Sequence, residues 1–114
     1  MARLDPLIKL RKKTVEDKQR VLAELYRQYE AVQAQKDQLL MDLAREQALI
    51  EADITALDAR SWFGPYADGV KAKIALCDTH LSRLDTRIIV ARDDVRAAFA
   101  DMKKIEIIDR ERDK

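Results

Sequence analysis

From Val70 to Ile105 a small or apolar residue recurs at alternating steps of four and three, through Val70, Ile74, Cys77, Leu81, Leu84, Ile88, Ala91, Val95, Ala98, Met102 and Ile105. An unbroken heptad seam of this kind predicts a long helix that lies against another helix. The first half of the chain carries a matching but poorer seam. Ile8, Val15, Leu22, Tyr29, Lys36, Leu43, Ile50 and Leu57 hold one position of it, and Leu4, Arg11, Lys18, Leu25, Val32, Leu39, Glu46 and Asp53 hold the other. Gln47 and Ile54 stand beside the acidic lapses at Glu46 and Asp53, so the stripe is expected to rotate slightly near its end.

Proline and glycine break the pattern in two places, at Pro6 and in the cluster Trp62-Phe63-Gly64-Pro65-Tyr66-Ala67-Asp68-Gly69. Asp5-Pro6 suits a helix N-cap followed by proline in the first turn, where a missing N–H costs nothing. These signals predict helix 1 over about residues 6–60, a turn over about 61–68 and helix 2 over about 69–110. The expected fold is all-α: an antiparallel two-helix coiled-coil hairpin, one domain spanning 1–114.

In such a hairpin the numbers of facing residues add to a constant. A sum of 127 sets Leu57 against Val70, Ile50 against Cys77, Leu43 against Leu84, Val32 against Val95, Leu25 against Met102 and Leu22 against Ile105, all apolar layers. It also opposes Tyr29 to Ala98, Lys36 to Ala91 and Lys18 to Asp109, and its midpoint falls between Phe63 and Gly64, inside the expected turn. Residue 114 would then lie opposite position 13, leaving Leu4, Leu7, Ile8, Leu10 and Arg11 without a covering partner. A bare apolar helix face beside Lys9, Lys12 and Lys13 is expected to dock another protein.

Composition sharpens this picture. Of 114 residues, 38% are charged, and the net charge of +1 comes from interspersed signs, so no global field draws the chain to nucleic acid or to an anionic membrane. A specific protein partner is the better expectation. The one cysteine excludes an internal disulfide, the opening residues lack a secretory signal, and the apolar runs fall short of the roughly 20 residues that span a bilayer. A cytoplasmic location is expected.

Candidate chemistry is sparse. His80, with Asp78 and Arg83 nearby, reads as a solvated or ion-paired surface residue, and Cys77 as a small buried hydrophobe. Carboxylates along both helices are interleaved with basic residues in the manner of exposed helix-stabilising pairs. No glycine-rich phosphate loop or metal-ligand cluster occurs in the sequence, so no enzymatic activity and no cofactor are expected. The basic run Lys9, Arg11, Lys12, Lys13, Lys18 and Arg20 is opposed only by Asp5, Glu16 and Asp17. It fits a solvated helix end or an acidic protein groove, and no aromatic interleaves it to stack on bases. Trp62, Phe63 and Tyr66 either pack over the last heptad layer or anchor a partner. Leu40, Leu76, Ile89, Val90, Phe99, Ile107 and Ile108 fall off the seam; some are expected to broaden the core and others to face another subunit.

Both ends of the chain carry a resemblance. Leu4-Asp5-Pro6-Leu7-Ile8-Lys9-Leu10-Arg11, continuing through Val15-Glu16-Asp17-Lys18-Gln19-Arg20-Val21-Leu22-Ala23-Glu24-Leu25, resembles the N-terminus of the flagellar export protein FliJ family. The stretch Ala97-Ala98-Phe99-Ala100-Asp101-Met102-Lys103-Lys104-Ile105-Glu106-Ile107-Ile108 is similar to the same family further along. The resemblance implies an antiparallel coiled coil of the flagellar type III export apparatus, similar to the γ subunit of rotary ATPases. Such a protein acts as the stalk of the hexameric export ATPase, couples it to the export gate membrane protein and contacts export chaperones. It also implies a place at the cytoplasmic face of the inner membrane, with peripheral membrane association, as a monomer or weak oligomer. The chain stops at Lys114, where relatives usually continue. The expected ATPase-facing residues are Leu7, Ile8, Arg11, Lys12, Lys103 and Lys104, with Trp62, Phe63 and Tyr66 as a second contact. The stalk of a virulence type III secretion system would share this architecture, and a nucleic-acid-binding arm or a dimeric scaffold stand as alternatives.

Overall fold

Helical bonding begins at Leu4, whose carbonyl accepts from the Ile8 N–H at 2.8 Å. Asp5 therefore sits inside the first turn instead of capping it, where its carboxylate complements the positive end of the helix dipole. The computed structural model describes residues 4–52 and 57–112. Helix α1 runs Asp5–Ala52 and helix α2 runs Leu57–Arg112, an all-α antiparallel hairpin as the seams predict.

The turn expected at about 61–68 is not a turn. Those residues lie inside α2, Pro65 included, and neither Gly64 nor Gly69 takes a positive φ. A proline in a helix interior removes one hydrogen bond and crowds the preceding turn. Packing outweighs that cost here: Ala67 and Val70 are buried, and Tyr66 meets both Trp62 and Phe63 at helical spacing. Helix 1 consequently ends at Ala52 instead of about 60, and helix 2 begins at Leu57 instead of about 69. Asp53, expected to end one position of the first seam, lies outside the described residues together with Ile54 beside it, and Leu57, expected to end the other, opens α2.

Contacts divide the chain into two units. Unit 1 comprises Met1–Arg27 and Asp85–Lys114, and unit 2 comprises Gln28–Leu84. In unit 1, Val15 packs with Ala98 and Met102 in one buried cluster, and Ile88 and Ala91 are buried too. In unit 2 the buried set is Val32, Ala67, Val70, Cys77, Leu81 and Leu84. Every seam residue of α2 from Val70 to Ile105 is at least half-buried, as is every described seam residue of α1 except Lys18, which is exposed.

The seams are right and the register is not. A sum of 127 would set Val15 against Arg112, Tyr26 against Asp101 and Lys36 against Ala91. Val15 instead packs against Ala98 and Met102, Tyr26 bonds Arg92, and Lys36 bonds Asp78. For Val15 and Ala98 the displacement is two heptads. Sliding a heptad seam by whole heptads keeps seam on seam, so apolar layers alone cannot choose among such registers. The helix bounds choose, with α1 ending at Ala52 and α2 beginning at Leu57.

This shift covers the end expected to be bare. With Val15 opposite Ala98, Ile8 comes opposite Ile105 and Arg11 opposite Met102. Leu4, Leu7, Ile8 and Arg11 are accordingly half-buried, and of the five residues expected to lie bare only Leu10, at 57%, is exposed. Lys18 does not meet Asp109.

Within unit 2, Lys36 occupies a seam position and turns its ammonium to Asp78 at 2.6 Å. The hydrogen bond from Lys36 to Asp78 raises the lysine pKa above its ordinary 10.5, against a desolvation that lowers it. Because the folded value is the higher one, the stabilisation from this pair is complete below pH 10.5 and is lost as pH rises through the raised value. The difference in Tm between wild type and Lys36→Met is expected to stay flat through the neutral range. It should move in favour of the variant only under alkaline conditions, as thermal unfolding followed by circular dichroism would show.

Candidate interaction surfaces

The six residues expected to face an ATPase all belong to unit 1, and the register divides them. Leu7, Ile8 and Arg11 are half-buried on the α1 seam, while Lys12, Lys103 and Lys104 are exposed. Arg11 interrupts the apolar seam, and its Nε is buried without a hydrogen-bond partner. A buried, unsatisfied donor costs about 1–3 kcal/mol, so Arg11 is a poor choice for folding alone. Lys103 donates to Glu106 at 3.2 Å and lies 5.3 Å from the centroid of the Phe99 ring. Lys104 and Lys12 remain as exposed cations.

One pairing on unit 1 was not expected from sequence. The Arg92 Nε donates to the Tyr26 hydroxyl at 2.8 Å, with the guanidinium 5.8 Å from the ring centroid. Heptad position places Tyr26 and Arg92 on the same flank of the seam as Lys12 and Phe99, so this flank combines aromatic rings with cations. Only the correct register could have revealed it, since the other puts Tyr26 beside Asp101.

On the other flank of unit 1 a shallow groove of about 430 Å³ is floored by Leu25 and Ala91 and walled by Val21 and Val90. Val21 is 54% exposed and Val90 55%. Arg87 and Asp94 stand at its rim. Val90 was singled out in the sequence as an off-seam residue, but Val21 was not. All seven of those off-seam residues are exposed, so none broadens the core.

Trp62, Phe63 and Tyr66 belong to unit 2 and sit along α2, not on a turn. Trp62 meets Tyr66 edge to face at 5.3 Å between centroids, and Phe63 lies 6.1 Å from Tyr66. Trp62 is exposed, while the other two rings are half-covered. Also in unit 2, Cys77 is buried as expected, and His80 is exposed beside Gln35 and Lys73. Among the described residues no group of His, Cys, Asp and Glu is placed to hold a metal ion, and no helix is long and apolar enough to cross a membrane.

Together these features define a helical hairpin whose distinctive surfaces are an aromatic and basic flank and an apolar groove. No family model matches the chain, and neither do characterised proteins nor solved structures.

Proposed function

We propose that the protein is a non-enzymatic stalk or coupling element of the flagellar type III export apparatus, binding the export ATPase through unit 1. One observation supports this reading above others. The two segments that resemble the FliJ family, 4–25 and 97–108, are remote in sequence yet pack together in unit 1 through Val15, Ala98 and Met102. Residues of both segments thereby contribute to one surface, with Lys12 from the first and Lys103 from the second exposed on its aromatic and basic flank, while Lys104, two heptads from Val90, lies on the groove flank.

The chemistry suits a partner with acidic character. Exposed lysines attract carboxylates at long range and at little desolvation cost, and the neighbouring rings of Phe99 and Tyr26 add apolar area. Arg11 fits the same role, because a cation held at a seam position at the expense of packing is accounted for by a contact beyond the hairpin. On this reading the export gate and the chaperones are further partners, and the protein works at the cytoplasmic face of the inner membrane.

The test is hydrolysis and ring assembly by the cognate export ATPase with and without the protein. The wild type is expected to raise both, and the double variant Lys12→Glu, Lys103→Glu to lose about tenfold or more in apparent affinity. Both lysines are exposed, so helicity should be unchanged. No effect of the wild type, or an undiminished effect of the variant, would remove this assignment.

A further inference from the structure

The groove on unit 1 is apolar at its floor and walls, yet its rim carries one cation and one anion on the same helix, Arg87 and Asp94, seven residues apart. Neither makes an ion pair or side-chain hydrogen bond among the described residues, although acid–base pairs form close by at Asp93–Arg96 and Lys103–Glu106. Val90 and Ala91 lie midway between them. A groove with a charge of each sign placed symmetrically about an apolar centre is its own complement under a two-fold rotation.

We infer that the occupant of this groove is a second copy of the chain, docked by the same face. A two-fold axis passing between Val90 and Ala91, with the two α2 segments antiparallel, sets Arg87 of each copy against Asp94 of the other. The same rotation brings Val90 of each copy over the groove walled by Val21 and Val90 and floored by Leu25 and Ala91 in its partner, covering two valines that are each more than half exposed in the single chain. Apolar burial supplies the affinity, and the two symmetry-related ion pairs fix the register and reject a parallel arrangement, which would set like charges together. This contact lies on the flank opposite Lys12, Lys103 and Phe99, with Lys104 two heptads beyond Val90 on its own side, and it does not rest on the ATPase reading.

Sedimentation equilibrium of the full chain tests the inference with two single variants, Arg87→Asp and Asp94→Arg. The wild type is expected to dimerise. Each single variant places like charges at both rim positions and is expected to dimerise about tenfold or more weakly. Mixing the two variants in equal amounts restores both opposite-charge pairs, so a mixed dimer should form about as strongly as the wild type. Circular dichroism of each variant checks that the helices are intact, and both positions lie outside the buried core. A wild type that stays monomeric, as it would if the groove received another protein, overturns the inference. So does unaltered dimerisation of the single variants, or a mixture no stronger than its components.

Discussion

Leu84→Ala is expected to lower the unfolding free energy by about 3 kcal/mol, within the roughly 2–5 kcal/mol range for emptying a leucine site in a packed interior. Leu84 is 1% exposed, the one side chain among the described residues with less than 2% of its surface in contact with solvent. A two-helix hairpin has few layers among which to share such a loss. Against a typical domain stability of about 5–15 kcal/mol the change is large, and Tm should fall by about 10 °C or more. Leu76→Ala provides the contrast. Leu76 is 71% exposed, so its removal should change stability by no more than about 0.5 kcal/mol. Urea unfolding monitored by helical circular dichroism measures both.

Pro65→Ala is expected to act in the opposite direction, stabilising the fold by about 1–3 kcal/mol and raising helicity. In a helix interior, alanine restores the missing N–H and relieves the clash with the preceding turn, a difference of about 3 kcal/mol at a fully regular site. Were 61–68 a turn, the same substitution would lower stability by about 0.4–1 kcal/mol, because proline restricts the unfolded chain. The sign of the change therefore distinguishes a continuous α2 from an interrupted one.

Much of this fold could be read from the sequence because a heptad pattern is a direct record of burial. Residues such as Leu81, Leu84 and Ile88 repeat at seam spacing for no reason but packing, and they are buried. Even the weak α1 seam was legible through its charged lapses: Lys36 and Glu46 are half-covered where the pattern places them. The reversal was not legible. Gly64, Pro65 and Gly69 carry strong local turn signals, and only the side-chain contacts of Tyr66, Ala67 and Val70 show why helix wins there. The register error followed directly, since a periodic seam tolerates displacement by whole heptads. From it came the expectation of an uncovered end.

The candidate surfaces were legible to a lesser degree. Lys12, Lys103 and Lys104, expected from the sequence to face a partner, are exposed. The pairing of Tyr26 with Arg92, and the groove between Val21 and Val90, join residues of both helices and so become visible only once facing residues are known. Residues beyond the seam have no periodic partner to announce them.

The placement of both surfaces on unit 1 depends on which residues of α1 and α2 face each other. A spin-label distance measurement between Glu16→Cys and Arg96→Cys, in a Cys77→Ala background and diluted with unlabelled protein, reports this directly. Both positions are exposed, and both lie on the flank away from the groove. With Val15 beside Ala98 the labels are nearly level, and their separation should centre on the order of 15–20 Å. The register summing to 127 would place Arg96 level with Ala31, about 22 Å further along α1 at 1.5 Å per residue. A distribution centred near about 30 Å would contradict the account.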